Sequence, residues 1–338
     1  MKILVTGANG FLGRHVVAAL LARGHRVRAL VRPAARLEGL RWGNPVDIFR
    51  ADVRSGIDLA PAFDSVDVLV HLAASPAGGE DGQFATAVTG TEKLLGAMAR
   101  GSCKRLVLAS SFSVYDWSRI RGTLDETAPL EEAPDLYERD GYTIAKSWQE
   151  RVTRRFAEQH GWDLTVLRPG YIWGRDHGEI AAMGQKVGRI HVVIGPLARA
   201  PLTHVENCAD FFAVAVEHPK ARGETFNVVD SEGERVWTYL GTHLRGTRQR
   251  GLRIPVPWRL AFLLVRLGYA TVFRRNPRLP HLLVPCRFEA RLKPLKYSNR
   301  RAAELLGWRP PLDFRECLAR TYGSPPAPPV IALGTVGP

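Results

Sequence analysis

The chain has 338 residues, of which 45% are hydrophobic and 24% are charged, and its formal net charge is +14. These values are typical of a soluble globular protein with one large α/β unit, or with a domain and a smaller partner. There is no run of 18 apolar residues, which excludes a membrane-spanning helix. The arginines are mostly scattered singly, which favours a solvated basic surface over a nucleic-acid partner and leaves an anionic membrane surface or an anionic small molecule open.

The first half of the chain alternates short β-branched runs with helical patterns, which is typical of a parallel sheet with helices on both faces. The predicted elements are, in order, a strand over 2–6, a helix that ends at Gly24, strands over 25–31, 45–49 and 66–72, a helix over 89–100, a strand over 105–110, a helix over 142–159 and a strand over 163–168. The predicted fold class is α/β, a Rossmann-type doubly wound parallel sheet.

Beyond Gly170 the pattern becomes irregular, although 224–230 is predicted to add a late strand to the same sheet. We predict a dinucleotide-binding domain over 1–170, to which 203–230 returns. Residues 171–202 and 231–322 are predicted to form a smaller, mostly helical substrate lobe over the C-terminal edge of the sheet. The tail, 323–338, is rich in proline and glycine and is predicted to be disordered.

Three glycines, Gly7, Gly10 and Gly13, follow the first strand in 6-TGANGFLG-13. In a nucleotide site the first would permit a tight turn, the second would let a pyrophosphate approach the backbone, and the third would let helix and strand pack closely. The anion would then lie at the unsatisfied N–H groups of the helix N-terminus. The alternative is a tight turn alone, but the position between a strand and a helix of a βαβ unit favours a nucleotide.

Charged residues after the second and third strands indicate which nucleotide binds. Asp52 is placed to accept a hydrogen bond from an adenine amino group, with a loop-capping role as the alternative. An NAD-preferring site needs a carboxylate at the end of the second strand, whereas this strand is followed by Arg32 and Arg36 with no acid before Glu38. Because arginine pairs with a 2′-phosphate, the predicted cofactor is NADP(H), with NAD as the alternative.

Tyr142 and Lys146 lie four residues apart in 142-YTIAK-146, on one face of a predicted helix. A neighbouring ammonium favours the phenolate and is expected to lower the tyrosine pKa, which suits acid–base chemistry. The strand in 107-VLASSFSVY-115 ends in serines at the C-terminal edge of the sheet, where ligands bind in such folds. A serine hydroxyl there could hold the reacting oxygen of a substrate beside Tyr142.

The four cysteines have no close spacing to one another, which predicts neither a metal site nor a disulfide framework. The N-terminus begins directly with a strand and shows no leader pattern. Both features favour a reducing cytoplasm as the location of the protein.

These motifs resemble those of the extended short-chain dehydrogenases/reductases, a group that contains nucleotide-sugar epimerases and dehydratases, dihydroflavonol-type reductases and 3-beta-hydroxysteroid dehydrogenases. The matching segments follow the family's order along most of the chain. They are TGANGFLG at 6–13, ADV at 51–53, VHLAA at 70–74, SSFSVY at 110–115, YTIAK at 142–146, LRPGYIWG at 167–174, THVENCAD at 203–210, GETFNV at 223–228 and LGWRP at 306–310.

The resemblance implies that Tyr142 is the general acid/base, that Ser111 assists it, and that Lys146 holds the nicotinamide ribose while tuning Tyr142. Ser110 and Ser113 are less favoured than Ser111. It also implies a homodimer through the Tyr142 helix and its neighbour. The predicted cofactor-binding residues are Gly7, Asn9, Gly10, Phe11, Leu12, Gly13, Arg32, Arg36, Asp52, Val53, Leu72, Ala73, Ala74, Tyr142, Lys146 and Pro169.

The chain departs from the family pattern at Ala87, which stands where the family usually has asparagine. That asparagine is often found near the active site. Any relay or orienting role of this position is therefore in doubt.

The segment 254–275 is mostly apolar and predicted to be helical, with Arg259 and Arg266 on one face. Its helical part would cover about 24 Å, less than the roughly 30 Å hydrocarbon layer of a membrane. Three interpretations remain open: a buried helix of the small lobe, an apolar wall of a substrate site, and a peripheral membrane contact through 255–275 flanked by Arg274 and Arg275.

The proline-rich entry to this helix places the resemblance nearer the steroid-dehydrogenase and flavonol-reductase side of the group. The first hypothesis is an NADP(H)-dependent oxidoreductase that reduces a ketone, or oxidises a secondary alcohol, of a bulky and fairly apolar small molecule. One alternative is a nucleotide-sugar epimerase or dehydratase with a tightly bound NAD(P). The other is a catalytically inactive cofactor-sensing protein.

Overall fold

The alternating apolar and amphipathic segments form parallel strands joined by helices. The structure, a computed structural model, describes residues 1–38, 40, 42, 46–73, 84–132, 139–230, 233–273 and 281–323. The strands are β1 (Lys2–Thr6), β2 (Arg26–Val31), β3 (Val46–Arg50), β4 (Val68–His71), β5 (Arg105–Ala109), β6 (Thr123–Leu124), β7 (Asp163–Pro169), β8 (Tyr171–Trp173), β9 (Gln185–Val187), β10 (Ile190–Ile194), β11 (Leu202–His204), β12 (Thr225–Val228), β13 (Leu252–Val256) and β14 (Lys296–Tyr297).

The α-helices in the same ranges are α1 (Phe11–Ala22), α2 (Gly90–Ala99), α3 (Gly141–His160), α4 (Val205–Glu217), α5 (Val236–Gly246), α6 (Trp258–Gly268), α7 (Pro285–Leu292), α8 (Arg300–Leu306) and α9 (Phe314–Tyr322). Two of them adjoin a π-helical turn, since Ala85–Thr89 precedes α2 and Tyr269–Phe273 follows α6. The elements predicted for the main sheet differ from the observed ones mainly at their ends, where hydrogen bonding begins or stops. The helix predicted over 254–275 was wrong at its start, because residues 254–256 belong to β13, which pairs with β10.

Seven strands form one parallel sheet in the order β12–β7–β5–β4–β1–β2–β3. The direction of winding reverses between β1 and β4, so the crevice at their carboxyl ends is the switch point where ligands bind in such sheets. The fold prediction is confirmed. The strand predicted over 224–230 also pairs at the sheet edge, with Phe226 opposite Leu167.

Helices cover both faces of this sheet. On one face, α1 and α4 enclose a core that includes Val16, Phe211 and Phe212, all fully buried. On the other face, α2 and α3 cover a second core around Leu94 and Leu106. The strands are buried on both sides, which explains why they read as nearly continuous apolar runs.

The C-terminal half adds a three-stranded sheet in the order β13–β10–β9, against which α6 and α7 pack. The chain then returns to the main sheet. Trp308 packs on Phe211 with ring centroids 4.4 Å apart and donates a hydrogen bond to Asp210 at 2.9 Å. Residues 300–308, which the sequence assigned to the lobe, thus contact the first core. The tail 324–338 lies outside the described residues.

Candidate active site

The glycine loop joins β1 to α1 at the switch point of the sheet. Gly7 has a φ of 67°, in the left-handed region that favours glycine. The N–H of Gly10 donates to the carbonyl oxygen of Gly7 at 2.9 Å. A Cβ at Gly13 would lie 2.1 Å from that same oxygen, so the helix can approach the strand this closely only with glycine there.

The N-terminus of α1 meets the requirements of a pyrophosphate site. Its N-cap is Gly10, which offers no side-chain hydrogen bond, and the first turn contains no acidic residue. The start of the helix lines a cleft of about 610 Å³. No carboxylate of the first turn competes with an anion for the free N–H groups, and the helix dipole also favours an anion there. The loop fits a dinucleotide.

Most of the predicted cofactor residues meet in this cleft. They are Gly7, Asn9, Gly10, Phe11, Leu12, Gly13, Arg32, Asp52, Val53, Leu72 and Ala73. Arg36 is exposed and is not among the residues that line the cleft. Three other predicted residues also lie outside the cleft lining: Tyr142 and Lys146 are on α3, and Pro169 is at the end of β7. Ala74 lies outside the described residues.

Six further residues line the cleft and were not predicted: Leu30, Ala51, Arg54, Thr86, Ile172 and His177. Leu30 and Ala51 end or follow strands, so the rule that ligands bind at carboxyl ends could have found them. His177 had no such signal because it comes from the segment after β8. Its ring stacks on Phe11 with centroids 3.8 Å apart.

Asp52 is engaged by its neighbour Arg54. The guanidinium donates to both carboxylate oxygens, at 3.0 and 2.7 Å, and this contact lowers the pKa of Asp52. A carboxylate has lone pairs to spare, so an additional hydrogen bond to an adenine amino group stays a prediction.

Tyr142 and Ser111 are brought together from different elements. Asp140 caps α3 by accepting a hydrogen bond from the Thr143 N–H at 2.9 Å, which places Tyr142 in the first turn. Ser111 follows β5 and caps a short turn through the Ser113 N–H at 3.1 Å. The Ser111 hydroxyl lies close enough to Tyr142 to favour the ionised form of its phenol.

Burial raises the pKa of Tyr142 above its usual value, and the contact with Ser111 offsets this only in part. The sequence-based expectation was a lowering by Lys146. The ammonium is directed elsewhere, because it donates to the Ala109 carbonyl and to Gln149 Oε1, both at 2.8 Å. Burial lowers the pKa of Lys146 itself to about 7, with the Glu150 carboxylate acting in the opposite direction.

Gln149, which the sequence did not single out, holds Lys146 in place. Because its Oε1 accepts from the ammonium, its amide N–H groups point the other way, to the carbonyl of Ala73 at 3.1 Å and to Thr91 Oγ1 at 3.0 Å. Gln149 thus links the lysine to a peptide that lines the cofactor cleft. The Gln149 side chain is buried, so water cannot replace these partners and its amide needs them to satisfy its hydrogen bonds.

The Thr91 hydroxyl fixes the rest of this polar cluster. It donates to the carbonyl of Ala87 at 2.6 Å, which leaves its oxygen free to accept from His71 Nε2 at 2.8 Å. His71 Nδ1 then accepts from Thr6 Oγ1 at 2.7 Å. Ala87, at the position of the usual asparagine, contributes only its carbonyl to this cluster, whereas Gln149 contributes an amide.

Ser110 has a structural partner, which explains why Ser111 is the serine beside Tyr142. Its hydroxyl donates to Glu150 at 2.5 Å, and Glu150 also forms a buried ion pair with Arg168 at 2.5 Å. Arg168 lies against the ring of Tyr115 and donates to its hydroxyl at 3.1 Å. The network fastens β5 and β7 to α3 beneath the site.

Comparisons with known proteins agree with this geometry. A family model described as the NAD dependent epimerase/dehydratase family matches residues 3–228. The chain is 28% identical to a 3 beta-hydroxysteroid dehydrogenase/Delta 5→4-isomerase of Mycobacterium tuberculosis, over 94% of this chain and 88% of that protein. It is 30% identical to a 4-hydroxy-2-methyl-3-oxo-4-farnesyl-3,4-dihydroquinoline-1-oxide ketoreductase of Stigmatella aurantiaca, over 71% of each chain.

Solved structures share the fold. UDP-glucuronic acid 4-epimerase from Bacillus cereus, in complex with UDP-glucuronic acid and NAD, superposes with a TM-score of 0.71. The match covers 95% of this chain and 98% of that chain at 20% identity. At this identity the likeness concerns the arrangement of strands and helices.

Proposed function

Because the chain belongs to the NAD-dependent epimerase/dehydratase family of extended short-chain dehydrogenases/reductases, we propose that it is an NADP(H)-dependent oxidoreductase. It reduces a ketone, or oxidises the corresponding secondary alcohol, of a bulky and fairly apolar molecule. The observation that carries the proposal is the proximity of Ser111 to Tyr142 at the carboxyl edge of the sheet, with the buried Lys146 on the same helix as Tyr142.

In the direction of reduction, Tyr142 donates its phenolic proton to the ketone oxygen. A tyrosine hydroxyl is protonated at neutral pH even at its ordinary pKa of about 10, and burial raises the pKa of Tyr142 further, so the proton is present for donation. Ser111 orients the same oxygen by a hydrogen bond. When bound, NADPH would supply a hydride to the carbonyl carbon and become NADP⁺. The hydride and the proton from Tyr142 together would convert the ketone into the secondary alcohol.

Lys146 and the glycine loop hold the cofactor in this proposal. The loop N–H groups would bind the pyrophosphate, and the ammonium of Lys146 would donate to the nicotinamide ribose. Arg32 lines the cleft just after β2, where it would pair with a 2′-phosphate, and this position supports NADP(H) over NAD. Arg36 is exposed and could supplement that charge.

The names of the relatives support an apolar substrate. The mycobacterial protein is named for a steroid, and a murine relative, 27% identical over 96% of this chain and 90% of its own length, is a sterol-4-alpha-carboxylate 3-dehydrogenase, decarboxylating. The Stigmatella ketoreductase is named for a farnesylated quinoline. All three names describe large apolar molecules.

The test is the consumption of reduced cofactor. We expect oxidation of NADPH with apolar cyclic ketones, and loss of this activity in Tyr142→Phe while NADPH binding persists. Turnover of a nucleotide sugar with no net change in cofactor would favour the epimerase or dehydratase instead. Cofactor binding with no turnover of either substrate class would favour a cofactor sensor.

Assembly and location complete the proposal. We propose a homodimer through α3 and its neighbour, and Trp148 on α3, which is 41% exposed, is available to such a contact. Sedimentation of wild type and Trp148→Glu tests this, since the variant should shift toward monomer. The proposed location is the cytoplasm, because the four cysteines have no close spacing to one another and so suggest a reducing compartment.

A further inference from the structure

Helix α6 has apolar side chains on two opposite faces. Its inner face, with Trp258 and Phe262, packs against Phe288 of α7 and against the small sheet. Its outer face carries four leucines, each 50% to 60% exposed: Leu260, Leu263, Leu264 and Leu267. The helix is therefore not fully buried.

A second group of exposed apolar residues lies on the small sheet. Ile190 of β10 lies opposite Leu252 on one side and Val187 on the other, and all three are exposed. Partners in neighbouring strands point to the same face. Two and four residues further along β10, Val192 and Ile194 contact the α6 cluster, so this row lies beside α6 on the face that α6 covers.

The sequence around these leucines is strongly basic. The segment 235–288 contains eleven arginines and no aspartate or glutamate. Arg259 and Arg266 are exposed next to the leucines on α6. Arg274 and Arg275, which the sequence placed at the end of this segment, lie outside the described residues.

We propose that the leucine face, defined as Leu260, Leu263, Leu264 and Leu267, inserts into the interfacial layer of an anionic phospholipid bilayer. A helix lying in the plane of the interface buries its apolar side among the acyl chains while its arginines bind phosphates. The eleven residues of α6 span only about 16 Å. Within the described ranges, no helix has the length and apolarity to cross a membrane.

The single sign of charge favours lipid over a second copy of the chain. Two copies docked through the leucine face would oppose arginine to arginine, with no carboxylate from this segment to compensate. Phosphodiester headgroups supply the missing negative charge. An interface that is both apolar and anionic is what a bilayer of acidic phospholipids offers.

The leucine face is one helix away from β8, the strand whose Ile172 lines the cofactor cleft. On one side, α7 packs on α6 through Phe288. On the other, the carbonyl of Arg291 in α7 accepts a hydrogen bond from the Tyr171 hydroxyl at 3.4 Å. The membrane contact goes beyond the proposed function and does not depend on it, although an apolar substrate would dissolve in the same bilayer.

The test is co-sedimentation of the full chain with vesicles of phosphatidylcholine alone and of phosphatidylcholine with phosphatidylglycerol. We expect binding to the anionic vesicles that weakens as salt is added. Leu263→Ser/Leu264→Ser/Leu267→Ser should lower the bound fraction more than about tenfold, and Arg259→Gln/Arg266→Gln should reduce the preference for anionic lipid. The control is Ile57→Ser, at a residue 53% exposed in the segment between β3 and β4, which should bind as wild type does.

NADPH binding and thermal unfolding show that each variant is folded. The proposal is overturned if wild type does not sediment with anionic vesicles, or if the triple variant binds them as strongly as wild type. It is also overturned if sedimentation shows a wild-type dimer that the triple variant converts to monomer, because the leucine face would then be a protein interface. None of these outcomes depends on turnover, so a wrong substrate leaves the membrane test intact.

Discussion

Replacing Gln149 with leucine should lower activity, because it removes the group that positions Lys146, and should affect the stability of the fold less. The amide oxygen accepts from Lys146 at 2.8 Å, and a hydrogen bond to a charged group contributes about 1.5–3 kcal/mol. If that energy is what positions the ammonium against the cofactor ribose, its loss should reduce kcat about 10- to 100-fold. The leucine is close to glutamine in size, so the effect on thermal unfolding should be smaller than that of opening a cavity.

The same change has a signature in the pH profile. Lys146 has a pKa of about 7 because burial opposes its charge, and removal of the acceptor destabilises the ammonium further. Its pKa must then fall, by about one to two units for the energy above. Activity that needs the ammonium is lost as the pH rises through this pKa, so the alkaline limb of kcat should move to lower pH.

Gln149→Glu is the matched control. It keeps an acceptor for Lys146 and adds a negative charge, so the alkaline limb should move to higher pH, but it loses the amide donors to Ala73 and Thr91. Initial rates of NADPH oxidation across the pH range measure both variants. The reasoning is refuted if Gln149→Leu keeps kcat within about twofold of wild type and an unchanged alkaline limb.

Three further predictions concern stability and cofactor choice. Glu150→Ala should lower the free energy of unfolding in urea by about 3–5 kcal/mol, because it leaves the buried Arg168 without its counter-charge; a loss below about 1 kcal/mol would contradict this. Burial lowers the pKa of His71 from 6.5 to about 3. As the pH drops, the histidine is protonated in the unfolded chain before it is protonated in the folded protein. The free energy of unfolding should therefore fall below about pH 6.5, and it should fall less steeply in His71→Gln. Equal slopes in the two proteins would contradict this prediction. Arg32→Glu should lower the ratio of kcat/KM for NADPH to that for NADH at least about tenfold, and an unchanged ratio would remove Arg32 from the 2′-phosphate site.

The part of the site that the sequence predicted is the part governed by local rules. The glycine loop follows from the strand–turn–helix order, and Gly7 and Gly13 occupy positions that a side chain would strain or fill. Asp52 and Ala73 line the cleft because parallel strands end at the same edge. Such residues can be placed without knowing how distant segments pack.

The remainder depended on long-range packing. His177 reaches the cleft from the segment after β8 and stacks on Phe11, and no spacing in the sequence connects the two. Gln149 reads as an ordinary helical residue, and only the approach of α3 to β4 and α2 brings its amide to Ala73 and Thr91. Likewise, the apolar pattern of α6 could not show which of its two faces would be covered.

The central claim is that Tyr142 gives its proton to a ketone that is reduced by NADPH. It is tested most directly by following NADPH absorbance with apolar cyclic ketones, for wild type and for Tyr142→Phe at saturating cofactor. We predict that wild type consumes NADPH and that the variant loses roughly 10²- to 10⁴-fold in kcat while binding NADPH as before. A Tyr142→Phe protein that reduces the same ketone at the wild-type rate would contradict the account.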